Sequence, residues 1–390
     1  MPTTPSPSPA VINCLSQLIA FDTVSRHSNL ELIEWAAELL RSLGAKLRFN
    51  YNADRSKANL IATFGQGPGG VVLSGHTDVV PVDGQQWHSD PFTARIENGL
   101  LYGRGACDMK GFIGVVLGMA GEMAAADLRE PIHIALSYDE EVGCLGIPGL
   151  LHEMRQAGIE PSGCIVGEPT SMEVVSAHKG GRIYSCHVSG CAAHSSLTPR
   201  GVNAVEYAAR LITYMQDVAE QEAVQGKRME DFDVPFSTLS TNLINGGNGL
   251  NIIPAACDFS FEYRFLPGID PDSIFNKIKA YADDHVIPKM KAKNPAAGIE
   301  FHCKGAIPAL NAETSRELQA LASQLLDSSK TRSVAYGTEA SFFQEVGVPT
   351  IVCGPGSIEQ AHKPDEYVSL EQLYRCEVFI RKLIENCCRK

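Results

Sequence analysis

The chain has 390 residues, of which 44% are hydrophobic and 20% charged, with 33 basic and 45 acidic side chains and a formal net charge of −12. That length allows two to three domains at ~150 residues each, with a substantial core, and the composition excludes a disordered or fibrous chain. An acidic balance without a Lys/Arg-rich run argues against nucleic acid or an anionic membrane as partner. The first ten residues, Met-Pro-Thr-Thr-Pro-Ser-Pro-Ser-Pro-Ala, have neither a basic nor an apolar leader segment, and are expected to form a short flexible tail rather than a signal peptide. From residue 11 to about 179, strands and helices alternate, the signature of a layered α/β fold. Leu32, Trp35, Ala36, Leu39, Leu40 and Leu43 recur at helical spacing after Ser28 and Asn29, and Gly44 ends the pattern. Strands are predicted at 59–64 and 71–75, around a glycine-rich loop at 65–70. Residues 112–126, rich in small and apolar types, are predicted to form one buried helix.

Near residue 180 the pattern changes. A strand at 182–189, a helix at 202–224, strands at 236–244 and 257–265, a helix at 271–285 and a short strand at 299–303 give the order βαββαβ, a ferredoxin-like sandwich. From about 307 the alternation resumes and ends in a helix at 370–385. The expected architecture is a mixed-sheet α/β domain of residues 1–179 and 306–390, interrupted by a smaller inserted domain of residues 180–305. The longest apolar stretch, 111–121, is too short to cross a bilayer. The twelve cysteines contain no Cys-x-x-Cys pair and read as reduced thiols packed as small hydrophobes, Cys107 included. A soluble cytoplasmic protein without a membrane partner is the expectation.

Five potential metal ligands, His76, Asp108, Glu141, Glu168 and His362, each sit where an apolar run breaks into a polar turn. The carboxyl ends of strands are where ligands converge in open α/β sheets, and the pattern points to a two-metal hydrolase. Asp78, two residues past His76, is placed to hold the second ring nitrogen of that imidazole. One carboxylate can bridge two divalent ions about 3.5 to 4 Å apart, and Asp108 is the candidate bridge. The adjacent acids Glu140 and Glu141 point in different directions at a strand end. Glu141 is read as a ligand, Glu140 as the general base that takes a proton from water and gives it to the leaving amine, and Asp139 as a solvated turn residue.

These residues lie in the segments Ser-Gly-His-Thr-Asp (74–78), Gly-Ala-Cys-Asp-Met-Lys-Gly (105–111), Asp-Glu-Glu (139–141), Gly-Glu-Pro-Thr (167–170) and Ala-His-Lys-Gly (177–180). With His-Ser-Ser (194–196), Arg-Gly-Val-Asn-Ala (200–204) and the run from Gly354 to Tyr367, the set resembles the M20 metallopeptidases nearly end to end. The resemblance is strongest to the branch of deacylases that act on N2-acetylornithine. It implies a zinc-peptidase-like catalytic domain and an inserted domain that makes a homodimer. It implies that His76 and Glu168 bind one divalent ion, Glu141 and His362 the other, and that Asp108 bridges. Zinc suits the His and carboxylate mixture, with cobalt or manganese close behind. His194 matches a histidine that stabilises the tetrahedral oxyanion from the partner subunit. Asn251 and Arg264 match residues that hold the substrate carboxylate, which a guanidinium grips bidentately. A glutamate at 168, rather than an aspartate, resembles the deacylases and carboxypeptidases. Gly-Thr-Glu-Ala (337–340) is similar to the acetylornithine-specific form of its loop, where Glu339 would pair with the substrate's side-chain ammonium; a glutamate held by a helix N-terminus is the alternative. His178 is read as structural. The implied reaction is hydrolysis of an N-acyl amino acid, N2-acetylornithine first, to acetate and the free amine, a step of arginine biosynthesis. A succinyl-diaminopimelate desuccinylase, a broad aminoacylase, a carboxypeptidase and a non-catalytic binding protein are the alternatives.

Overall fold

The computed structural model describes residues 5–388, so the first four residues of the expected tail lie outside the described residues. The remainder of that tail is shorter than expected. Ser8 accepts the Val11 N–H and Pro9 occupies the first turn, starting a helix at Pro9–Ala20. The chain forms two compact units: His178–Leu310 with Ser333–Gly337 make up the second, and the remaining described residues the first.

The first unit is built on an eight-stranded sheet in the order Lys46–Tyr51, Ala58–Phe64, Ile132–Ser137, Val71–His76, Gly163–Pro169, Thr350–Gly354, Val174–His178 and Thr331–Val334. The central strands run parallel, and Lys46–Tyr51 and Ala58–Phe64 join antiparallel at one side. Val71–His76, Ile132–Ser137 and Gly163–Pro169 are buried at every position, as expected for parallel strands covered on both faces. Leu73, Ile134, Ile165 and Ile351 pack in one core with Phe112 and Phe379 from the covering helices.

The helix predicted at 112–126 is two helices, Lys110–Gly118 and Ala120–Ala125, with the break at Met119. Gly118 and Gly121 flank the break and give the backbone little reason to stay helical there. Gly114 and Gly118 also let Pro9–Ala20 approach closely, since a Cβ at either would come within 2.8 Å of Leu15 or Val11. Helix Leu30–Ser42 buries Leu32, Ile33, Ala36, Ala37 and Leu40. Its flanking Asn29 does not cap it. The Asn29 amide donates to the Ala58 carbonyl and the Thr77 hydroxyl and accepts the Ala58 N–H, tying the helix start to the sheet.

The second unit is a four-stranded antiparallel sheet in the order Thr238–Gly246, Ala256–Phe265, Gly180–Ser189 and Gly298–Ile307, with helices Ala204–Gln225 and Ser273–Tyr281. This is the ferredoxin-like βαββαβ arrangement. Alternation along Ala256–Phe265 buries Cys257, Phe259, Phe261, Tyr263 and Phe265. The segment is tied at its ends: the His178 N–H donates to the Leu310 carbonyl at 3.2 Å and the Leu310 N–H to His178 at 3.1 Å. All twelve cysteines are free thiols. Among the described residues no helix is long and apolar enough to cross a membrane.

Candidate metal centre

Sheet register brings the first side chains together. His76 pairs in parallel with Ser137, so the turn carrying Asp139, Glu140 and Glu141 begins level with the imidazole. Ser74 pairs with Val166, which brings Glu168 level with His76 on the opposite neighbour. Asp108 arrives on the loop before helix Lys110–Gly118, and its peptide bond to Met109 is cis. His362 lies in a turn beyond strand Thr350–Gly354 and has a left-handed φ of 65°.

Two ligand groups result, His76 with Asp108 and Glu168, and Asp108 with Glu141 and His362; within each, one ligand atom per residue lies within 4.8 Å of the others. Asp108 divides its oxygens between them. Oδ1 lies 3.1 Å from His76 Nε2 and Oδ2 lies 3.3 Å from His362 Nε2. Glu168 Oε1 is 3.6 Å from His76 Nε2, and Glu141 Oε2 is 3.2 Å from His362 Nε2. His76 Nδ1 lies 2.9 Å from the Asp78 main-chain carbonyl, so Nδ1 carries a proton and Nε2 is the ring nitrogen turned toward Asp108 and Glu168. An imidazole nitrogen set among carboxylate oxygens calls for positive charge, either a proton on the ring or a bound cation. Glu141 Oε1 is buried with no hydrogen-bond partner, a second acceptor in want of a positive charge. Imidazole and carboxylate donors of this number suit zinc or a similar divalent ion.

Two expectations change here. The carboxylate of Asp78 is not the group nearest the His76 ring, standing at 3.6 Å where the Asp78 carbonyl stands at 2.9 Å. With the ring two residues back on the same strand end, the main chain reaches Nδ1 first. The carboxylate accepts the N–H groups of Glu140 at 3.0 Å and Glu141 at 3.2 Å and the Ser25 hydroxyl at 2.7 Å, and so fixes the turn that carries both acids. Asp139 is not a solvated turn residue. Its side chain is 13% exposed and pairs with Lys57, which also donates to the Ser25 carbonyl.

Concentrating acids in a buried place has the expected cost. Burial raises the carboxyl groups of Glu140 and Glu168 well above the ordinary range, with repulsion from Asp108 and other acids adding to it, and raises Glu141 likewise. Burial alone would lower His76, yet its hydrogen bond to Asp108 and the charges of Glu168, Glu140 and Asp108 carry it well above its ordinary value. Hydrogen bonds to Asp108 and Glu141 raise His362 to about 10. The ensemble favours added positive charge.

Glu339, at the head of helix Ala340–Glu345, is fully buried, and neither carboxylate oxygen has a hydrogen-bond partner. Burial pushes it up to about 7, against the influence of Ser137 and His76. The other expected site residues belong to the second unit. His194 is exposed, and the Ser196 N–H donates to its Nδ1 at 3.2 Å, which leaves Nε2 as the ring nitrogen that can donate. The Ser195 N–H donates to the carbonyl of exposed Asn251. Arg264 ends the second unit's inner strand and lies 3.3 Å from Glu262. His178 is buried with Nδ1 2.9 Å from the Lys179 carbonyl. Sequence reasoning passed over Glu366 and Arg104, which form a fully buried ion pair at 2.6 Å. Acidic Glu366 four residues after a candidate ligand, and a lone arginine in Gly-Arg-Gly four residues before another, were the available signals.

Fold, ligand groups and family agree on a metal-dependent amidohydrolase. The sequence profile of Peptidase family M20/M25/M40 matches residues 72–386, and the chain belongs to that family. Among curated proteins it is similar to the acetylornithine deacetylase of Proteus mirabilis, 34% identical over 97% of each chain. Among solved structures it is similar to a tripeptidase of Staphylococcus aureus, with a TM-score of 0.77, 18% identity and 99% and 100% of the two chains covered. It is also similar to the YXEP protein of Bacillus subtilis, a dinuclear metal-binding peptidase of the M20 family, with a TM-score of 0.65, 16% identity and 96% of each chain covered.

Proposed function

We propose that the protein hydrolyses N-acyl amino acids, N2-acetyl-L-ornithine first, to acetate and the free amine, as a cytoplasmic step of arginine biosynthesis. The observation that carries the reading is the pair of ligand groups sharing Asp108, with Glu140 on the turn beside them. His76 and Glu168 would hold one divalent ion, Glu141 and His362 the other, and Asp108 both; zinc is the first candidate. Such ions supply Lewis-acid polarisation of the acyl carbonyl and acidify water.

Glu140 takes the proton of the attacking water and returns it to the leaving nitrogen. The raised basicity of its buried carboxylate suits that exchange. Asp78 keeps Glu140 at a fixed height by accepting its main-chain N–H. His194 donates from Nε2 to the oxyanion of the tetrahedral intermediate, and the tautomer set by the Ser196 N–H favours that donation. Asn251 and Arg264 hold the substrate carboxylate. Glu339 pairs with the side-chain ammonium; an unpartnered buried carboxyl is expensive, which suits a group whose partner arrives with the substrate.

A homodimer through the second unit, with His194 acting across it, completes the proposal. Support comes from exposed Leu243 and Ile244 on the edge strand Thr238–Gly246 and from exposed Leu250. The test is acetate release from a panel of acetylornithine, neutral acetylamino acids, succinylated amino acids and dipeptides, with metal and after chelation. Preference for acetylornithine, lost on chelation and reduced in Glu339→Gln, is expected. Equal turnover of all acyl amino acids overturns the assigned substrate, and activity surviving complete metal removal overturns the mechanism.

A further inference from the structure

We infer that Glu366 is a positioning residue for both ion sites, its buried carboxylate fixing the loop that carries Asp108 and, through Arg104 and Gln85, the turn that carries His362. The inference rests on the two-ion reading. Each Glu366 oxygen accepts two hydrogen bonds. Oε1 takes the N–H groups of Cys107 at 2.8 Å and Asp108 at 3.0 Å; Oε2 takes the Gly105 N–H at 3.1 Å and Arg104 Nη1 at 2.6 Å. Three anchors, at Gly105, Cys107 and Asp108 itself, therefore hold the main chain of the Asp108 loop. Both oxygens of Asp108 are in use, each facing a different histidine, so a small rotation of this loop would disturb both groups at once.

The same hub reaches His362 from the other side. Arg104 Nη2 donates to Gln85 Oε1 at 2.6 Å, and Gln85 Nε2 donates to the main-chain carbonyl of His362 at 2.9 Å. Trp87 covers the guanidinium at 5.1 Å and donates Nε1 to the same Gln85 oxygen at 3.1 Å. The Gly103 N–H donates to the Glu366 carbonyl at 3.0 Å, lacing the two loops once more. His362 has the left-handed backbone that non-glycine residues adopt only when their surroundings hold them there. Gln85 supplies that hold through the one atom, the carbonyl oxygen, that leaves the imidazole free to ligate.

A buried ion pair serving only the fold would support the melting temperature of the metal-free chain and leave both ion affinities at their wild-type values when it is altered. The positioning role predicts a selective effect. Metal-stripped full-length protein is titrated with Co²⁺ against a competing chelator, reading the visible absorption, alongside melting of the metal-free chain. Glu366→Gln keeps the shape but turns an amide donor toward the Gly105 N–H or the guanidinium, and should weaken both Co²⁺ sites about 10- to 100-fold. Gln85→Ala should weaken one site by a similar factor, leaving the other at its wild-type value and the metal-free melting temperature unchanged. Wild-type affinity at both sites in Glu366→Gln overturns the inference; if that variant does not fold, wild-type affinity at both sites in Gln85→Ala does so. Wild-type protein that takes up no Co²⁺ overturns the two-ion reading itself.

Discussion

The two ligand groups share Asp108 yet are built differently. The deep group stands on adjacent parallel strands, with His76 1% and Glu168 4% exposed, and its geometry follows from sheet register. The rim group depends on turns: the His362 side chain is 53% exposed and its backbone lies in the left-handed region, held by Gln85 and the hub behind it. Register is cooperative and resists local change, whereas a turn opens at little cost to the rest of the molecule. The deep position is therefore expected to be the permanent ion site and the rim position the one that exchanges.

The largest effect tests what the groups have in common. Glu140→Ala should lower turnover by ~10² to 10⁴ while both ions remain bound, as measured by steady-state kinetics and metal content; substantial residual activity removes Glu140 from the mechanism. Next come the ligands themselves. His76→Ala and His362→Ala should each lose more than ~10² in affinity for one ion, and after dialysis His362→Ala should keep one metal per chain and His76→Ala less than one. Loss of both ions from His362→Ala would erase the distinction between deep and rim.

A smaller effect comes from Glu339, buried at the head of helix Ala340–Glu345. Its carboxyl titrates at about 7 when folded, against about 4.3 in an unfolded chain. The folded state thus holds the extra proton between those values, and stability falls as pH rises from the lower to the higher. Glu339→Gln should melt like wild type near pH 3.5 and be more stable at pH 8 by up to about 4 kcal/mol. Metal-free thermal melts at the two pH values measure this, and an equal difference at both would show that the carboxyl is not the source.

Much of the fold was readable because apolar runs and turn residues mark strand ends. His76, Glu168 and the Glu140–Glu141 turn were found that way, and the βαββαβ order of the second unit followed from the same alternation. What escaped was whatever depends on main-chain donors or on residues far apart in the chain. Nothing in the spacing of His76 and Asp78 says that the carbonyl, not the carboxylate, meets the ring. The four donors on Glu366 include three backbone N–H groups, which carry no residue-type signature, and its arginine is 262 positions away. Asp139 looked solvated because Lys57 is 82 positions from it. The break at Met119 was masked by an apolar run continuous through it.

The paired hydrogen bonds between His178 and Leu310 have a consequence for how such a protein can be remade. Residues 178–310 leave and return at one rung of backbone, with only Ser333–Gly337 joining their unit from elsewhere in the chain, so almost everything between is topologically a side branch. Two nearby splice points would suffice to exchange that branch for another, with the strand order of the main sheet untouched. Whatever the second unit contributes could then be changed by transplantation, while the residues that carry charge at the heart of the first unit are inherited unchanged.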